Sequence, residues 1–221
     1  MGYWFSRASL QARPRDSELL RTLVRHEEAY RDHALVWRLF PGDGMPRDFV
    51  FRREDVDGVP VYYVVSRREP RDVEGLFQIH SKPYRPQLAA GTRVRFDLRA
   101  NPTVSRRDEG GISRRHDVLM DAKRLARDAH ETTDAMERAG RQWLLGRAAR
   151  WGLDIEADGL LQTGYRQHRL APKGKRIEFS SLDYRGIAHV ADPEAVGRAL
   201  LEGVGHAKGF GCGLLLVKRI E

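Results

Sequence analysis

The sequence predicts an α+β fold made of two small sandwiches in tandem, each an antiparallel sheet with helices on one face. Three observations predict it. The chain has 221 residues, which suits one large domain or two small ones at roughly 100–200 residues per domain. Its 41% hydrophobic content is enough for a packed core rather than a disordered chain. The periodic segments run strand, helix, two or three strands, then helix, hairpin, helix and strand, without an internal repeat.

The opening Tyr3–Leu10 reads as a short strand with an aromatic start. Asp16 and Ser17 are N-cap residues for a helix with Leu19, Leu20, Leu23 and Val24 on one face. A second helical stretch, Glu27–Phe40, stops at Pro41-Gly42-Asp43-Gly44. Val59–Ser66 and Gly75–His80 read as strands, and the proline-containing Lys82–Gln87 as a loop. In Thr92–Arg99, Val94, Phe96 and Leu98 alternate with Arg95, Asp97 and Arg99, the period of a half-buried strand, and Asn101-Pro102 closes it. Residues 103–116, with four arginines and a Gly-Gly pair, read as a mobile polar loop, interdomain or functional. Met136, Ala139 and Trp143 then restore helical spacing. Leu160–Arg169 and Arg176–Asp183 form a hairpin, with Gly186–Val190 extending its second arm. Asp192-Pro193-Glu194 caps a helix to about Leu201, and Gly213–Ile220 is a closing apolar strand. The expected division is an N-terminal unit of residues 1–102 and a C-terminal unit of residues 103–221.

Composition narrows the function. There are 39 Lys and Arg against 31 Asp and Glu, a net charge of +8, which favours a polyanionic partner. The surplus is uneven: residues 165–176 carry five basic side chains and no acid around a Pro-Lys-Gly turn, while residues 1–40 are close to balanced. A basic hairpin tip of this kind suits a nucleic-acid groove. No apolar run approaches the ~18 residues that cross a bilayer, and the start lacks a secretory pattern. The expectation is a soluble, cytoplasmic protein without a membrane partner. The single cysteine, Cys212, excludes an internal disulfide and a cysteine metal cage. The eight histidines are scattered with no metal-binding motif, and neither a metal nor a cofactor is expected.

Two constellations carry chemistry. Residues 203–213 hold five glycines, with Lys208 among them, and such a segment exposes N–H groups to a phosphate. It is neither a dinucleotide fingerprint nor a P-loop, and a tight helix-to-strand connection is the plain alternative. The other is Tyr30-Arg-Asp-His33-Ala-Leu-Val-Trp37-Arg-Leu-Phe-Pro41. A helix here places Tyr30, His33 and Trp37 on one face and Leu35 and Leu39 on another. His33 has the side-chain type suited to proton transfer near neutrality; the alternative is a partly buried structural histidine. His26, seven residues earlier, is a rival on the same side.

Three segments together resemble the CRISPR-associated repeat-processing endoribonucleases of type I-E systems, the CasE family. They are Tyr30-x-x-His33-x-x-x-Trp37-x-Leu39-Phe40-Pro41, Phe96-x-Leu98-Arg99-Ala100-Asn101-Pro102, and Gly203-x-Gly205-x-Ala207-Lys208-x-x-Gly211-Cys212-Gly213-Leu214-Leu215. The resemblance spans the chain and implies two tandem ferredoxin-like (RRM-like) domains. It implies metal-independent cleavage of CRISPR repeat hairpins by attack of a 2′-hydroxyl on the adjacent phosphate. It also implies residence in a multi-subunit CRISPR surveillance complex, bound at the guide's 3′ hairpin. His33 corresponds to the catalytic histidine and Tyr30 to its neighbouring tyrosine; His26 has no counterpart. The hairpin residues Arg166, His168, Arg169, Lys173, Lys175 and Arg176 correspond in position and character rather than one by one, and are expected to grip the stem. Gly205, Lys208, Gly209 and Gly211 are expected to hold the RNA backbone near the scissile step. The rival reading is a non-catalytic RNA-hairpin-binding subunit of a ribonucleoprotein complex.

Overall fold

A computed structural model describes residues 2–11, 28–42, 44–107, 110–170 and 176–221. The expected helix at Asp16–Val24, the rival His26, and the hairpin-tip residues Lys173 and Lys175 lie outside the described residues.

The N-terminal sheet is built from β1 (Tyr3–Leu10), β2 (Phe49–Val56), β3 (Val59–Ser66) and β4 (Phe77–Tyr84), in the order β2-β3-β1-β4 and antiparallel throughout. β4 therefore runs through Lys82, Pro83 and Tyr84, which the sequence reading placed in a loop; Pro83 sits opposite Trp4 on an edge strand, where a missing N–H is tolerated. β2 and β3 are joined at Asp57-Gly58, both with positive φ (52° and 77°), the geometry of a tight hairpin turn. Helix α1 (Glu28–Trp37) lies on one face. Its buried Leu35 and Val36, followed by Leu39 and Phe40, pack on Phe49, Phe51, Tyr62 and Val64. The expected separation of faces holds: Leu35 and Leu39 enter this core, whereas Tyr30, His33 and Trp37 stay half-buried.

The second sheet has the order β11-β5-β10-β8, from β5 (Arg93–Ala100), β8 (Leu153–Ile155), β10 (Ile177–Val190) and β11 (Leu215–Arg219). β9 (Leu161–Leu170) also pairs β10, with a register shift between Ser181 and Asp183 that bends the hairpin arm. Helices α2 (Val118–Leu125), α3 (Ala129–Ala148) and α4 (Pro193–Glu202) are capped by Asp117, Asp128 and Asp192, whose carboxylates accept first-turn N–H groups. Val94, Phe96 and Leu98 are buried as their alternation predicts, and pack with Leu144, Leu153, Tyr184, Val196 and Leu200.

Each sheet has the outer-inner-inner-outer strand order of a ferredoxin-like βαββαβ unit, although residues 67–76 replace the second helix of the first. β5 corrects the expected division at residue 102. It is hydrogen-bonded to β10 and β11, so the chain changes sheets between Tyr84 and Arg93, and Asn101-Pro102 closes the first strand of the second unit. Residues 103–116 also differ from the expected polar loop. Thr103–Arg107 (β6) and Ser113–Asp117 (β7) pair as a small antiparallel ribbon.

Several contacts join the two units among the described residues. Val50 and Val65, on the sheet face away from α1, bury Leu214 between them, with Tyr3, Phe5 and Leu216 at the edge. Beside them Arg52, 1% exposed, reaches across to Asp97, and Arg99 donates to the Arg53 carbonyl at 3.3 Å while pairing with Asp183 at 2.7 and 2.9 Å.

Candidate active site

The site is assembled where α1 meets the glycine-rich segment that follows α4. That segment can double back because its turns are glycine turns. Gly213 has φ of 87°, and a Cβ there would collide with the Val204 carbonyl. One 3₁₀ turn, Lys208–Phe210, lies against α1. It aims the Gly209 carbonyl at His33, and the Nδ1–O distance is 2.7 Å. A carbonyl only accepts, so Nδ1 carries the proton, and in the neutral ring Nε2 presents a lone pair. No described residue hydrogen-bonds that nitrogen. Burial pulls the His33 pKa down; the bond to Gly209 opposes this, and the Arg47 cation adds to the lowering. Near pH 7 His33 is therefore a neutral, oriented imidazole.

Tyr30 lies one turn before His33, rings near-parallel with centroids 6.0 Å apart, and Trp37 meets the imidazole edge-on at 6.2 Å. On the other side Phe210 lies 5.1 Å from the imidazole, Phe179 5.3 Å from Phe210, and His168 4.4 Å from Phe179. A continuous row of rings thus connects His33 to the basic hairpin. Sequence reasoning missed Phe179 and Phe210; their signal was an aromatic residue inside each of the two segments already singled out.

The expected RNA-facing residues divide. His168 is half-buried, with Nε2 2.9 Å from Ser181 Oγ. Arg166 is bound to Glu28 at the start of α1, and Glu28 also holds Arg53. Arg176 donates to Glu178 at 2.6 and 2.8 Å, and Arg169 lies 3.7 Å from the same carboxylate. His168, Arg169 and Arg176 line a cleft of about 520 Å³ opposite Arg115, His116 and Arg124, which brings the arginine-rich segment after Asn101-Pro102 to the hairpin. Of the glycine-segment residues, Gly205 is exposed, Gly209 orients His33, and Gly211 is buried against Phe51. Lys208 does not point freely into a cleft. Its Nζ donates to the carbonyls of Glu202 and Gly203, both at 2.8 Å, closing the C-terminus of α4.

Next to His33, on the inner side of α1, Asp32 accepts a 2.7 Å hydrogen bond from Tyr62 Oη. Burial pushes its pKa up to about 6 against that bond. Among the described residues no group of three or more His, Cys, Asp or Glu side chains is arranged to hold a metal ion, and no helix is long and apolar enough to cross a membrane.

The chain is similar to two curated proteins over most of its length. It is 30% identical to CRISPR-associated endoribonuclease Cse3 of Thermus thermophilus, over 83% of this chain and 79% of that one. It is 28% identical to the CRISPR system Cascade subunit CasE of Escherichia coli, over 85% and 90%. Among solved structures, a CRISPR endoribonuclease Cse3 bound to a 19-nucleotide RNA superimposes with a TM-score of 0.70 at 25% identity, covering 98% of this chain and 99% of that one. The CRISPR-associated protein Cas6e of Escherichia coli K-12, 22% identical, shares the fold with a TM-score of 0.61 over 98% and 100%. A family model described as CRISPR associated protein matches residues 3–219, and the chain belongs to that family.

Proposed function

We propose that this protein is an endoribonuclease that cleaves precursor CRISPR RNA within the repeat hairpin. The 2′-hydroxyl attacks the adjacent phosphorus, leaving a 2′,3′-cyclic phosphate and a 5′-hydroxyl. The observation that carries the proposal is the His33–Gly209 bond: it orients a neutral imidazole with Nε2 unengaged, beside Tyr30 and at the end of a ring row leading to the basic cleft. The substrate supplies its own nucleophile, so the protein's tasks are alignment, proton transfer and charge stabilisation. His33 Nε2 accepts the proton of the 2′-hydroxyl, Tyr30 positions the hydroxyl or the phosphate, the P–O5′ bond breaks as the departing 5′-oxygen takes a proton from water, and no step calls for a metal. General base catalysis of this kind is worth roughly 10²–10⁴-fold. The cleft grips the stem largely by shape and phosphate, because the deep major groove of A-form RNA hides its base edges. Its basic contributors are His168, Arg169 and Arg176 from one side and Arg115 and Arg124 from the other. Arg166 on β9 is a further proposed contact, as are Lys173 and Lys175, which lie in sequence between Leu170 and Arg176.

The relatives named as endoribonuclease and Cascade subunit support the same reading. With it go retention of the 3′ hairpin, membership of a type I-E surveillance complex and a cytoplasmic location. The test mixes the protein with its cognate repeat RNA in EDTA, comparing wild type, His33→Ala and a substrate with a single 2′-deoxy at the scissile nucleotide. Cleavage by wild type alone, on the unmodified substrate alone, is expected. Cleavage that survives either change, or that requires added Mg²⁺, contradicts the mechanism. A wild type that binds and leaves the RNA intact makes the protein a binding subunit.

A further inference from the structure

Cleavage through a pentacoordinate phosphorus builds negative charge on the non-bridging oxygens, and neither a neutral imidazole nor a tyrosine hydroxyl supplies a balancing cation. The positive groups around His33 are mostly committed elsewhere. Lys208 closes the end of α4 with two carbonyl bonds. Arg38 is paired with Glu74 at 2.8 Å, and Arg166 with Glu28. Arg47 is the exception. It lies between α1 and β2, is exposed, and has no described carboxylate within ion-pair distance. The acid next to it in sequence, Asp48, is taken by Arg68 in a two-pronged pair at 2.8 and 2.9 Å.

The Arg47 guanidinium is anchored rather than waving. Nη1 donates to the Phe49 carbonyl at 3.0 Å. Its stem runs past Gly209, the residue that orients the imidazole: a Cβ built on Gly209 would lie 3.5 Å from His33 Nδ1 and 3.9 Å from Arg47 Cδ. The charge is felt by its neighbours, since Arg47 contributes to the lowered pKa of both His33 and Lys208. A fixed guanidinium without a carboxylate, beside an oriented base, has the geometry to receive a phosphate through its remaining donors.

We propose that Arg47 is a catalytic residue that contacts the scissile phosphate and stabilises the charge developing on it. The inference rests on the endoribonuclease reading. Absence of this contact costs transition-state stabilisation more than ground-state affinity, because the phosphate oxygens gain charge only as the 2′-oxygen attacks.

The test is single-turnover cleavage of the cognate repeat RNA at saturating protein, with the dissociation constant measured on a 2′-deoxy substrate. Wild type, Arg47→Ala, Arg47→Lys and His33→Ala are compared, and thermal melting verifies that each is folded. Arg47→Ala is expected to slow cleavage about 10²–10³-fold, the range for loss of one preorganised oxyanion donor, while the dissociation constant changes less than about threefold. Arg47→Lys, which keeps the charge without the fork, recovers at least about tenfold of the loss. The pH–rate limb of His33 moves to higher pH in Arg47→Ala, since removing a nearby cation makes the imidazole easier to protonate. An Arg47→Ala rate within about threefold of wild type, or a deficit abolished by saturation, overturns the assignment. If His33→Ala is inactive in that case, the endoribonuclease reading stands and only Arg47 is lost from it. A wild type that does not cleave overturns both.

Discussion

At the residue scale the decisive feature is a backbone carbonyl. Gly209 O fixes the tautomer of His33 and leaves Nε2 without a hydrogen bond among the described residues, while burial and Arg47 keep the ring neutral. If Nε2 accepts the 2′-hydroxyl proton, the cleavage rate falls toward acid with a midpoint below the usual imidazole value of 6.5. A limb that instead falls toward alkali assigns His33 to the leaving 5′-oxygen. The adjacent Asp32 makes a prediction about stability. Its folded pKa is raised from 3.8 to about 6, so the folded state binds the extra proton. The favourable contribution is complete below pH 3.8 and is lost as pH rises through about 6. Asp32→Asn retains an acceptor for Tyr62 and removes the charge. It is expected to flatten the dependence of stability on pH across that window and to add about 1–3 kcal/mol at pH 7. Chemical denaturation of both proteins at several pH values decides it; unchanged pH dependence would show that Asp32 does not titrate there.

At the scale of elements, the RNA contacts proposed for the β9–β10 hairpin can be tested apart from the structural part played by the glycine segment. Glu178 partly neutralises Arg169 and Arg176 in the free protein, so Glu178→Gln is expected to tighten RNA binding by about threefold, and reversing both arginines to weaken it at least tenfold, with a shallower salt dependence. Filter binding at several salt concentrations measures both; equal affinities across the set would remove the hairpin from the interface. Lys208→Met should behave differently, costing about 1–2 kcal/mol of stability through the freed carbonyls of α4, with a smaller effect on affinity.

These elements were unequally legible. α1, β5 and the capped start of α4 could be read because each has a strong period or an unambiguous cap. β2 could not: its Arg-Arg-Glu-Asp run looks solvated, yet Arg52 is buried through partners on its own strand and on β5. The Asp57-Gly58 pair that joins it to β3 was not read as a turn. The sheet to which β5 belongs was equally hidden, since alternation reports which face is buried and not which strands supply the neighbours. The role of Lys208 was legible only as a charge near glycines; the carbonyls it closes belong to the preceding helix.

At the scale of the molecule, the site exists only while the two units are docked. His33 comes from the first unit, whereas Gly209 and Phe210, which orient it, come from the second. The apolar part of the contact between the units is the buried Leu214 between Val50 and Val65, with Arg52–Asp97, Arg99 and the Arg166–Glu28 pair adding polar links. Leu214 touches none of the groups assigned to chemistry, which makes it the right place to separate docking from catalysis. Truncating a buried leucine costs about 2–5 kcal/mol, and a carboxylate there costs more because it is desolvated without a partner. Leu214→Ala is therefore expected to keep both units folded while loosening the interface. One cooperative thermal transition in the wild type becomes broader or splits in two. Cleavage slows by at least tenfold, because the Gly209 carbonyl no longer holds the imidazole in register. Affinity for the repeat hairpin changes much less, since the basic cleft lies within the second unit. Calorimetry, single-turnover cleavage and hairpin binding on the same variant check the three parts. A variant that melts in a single unbroadened transition and cleaves at the wild-type rate would show that each unit carries its own function, and that the contact between them is incidental to the chemistry.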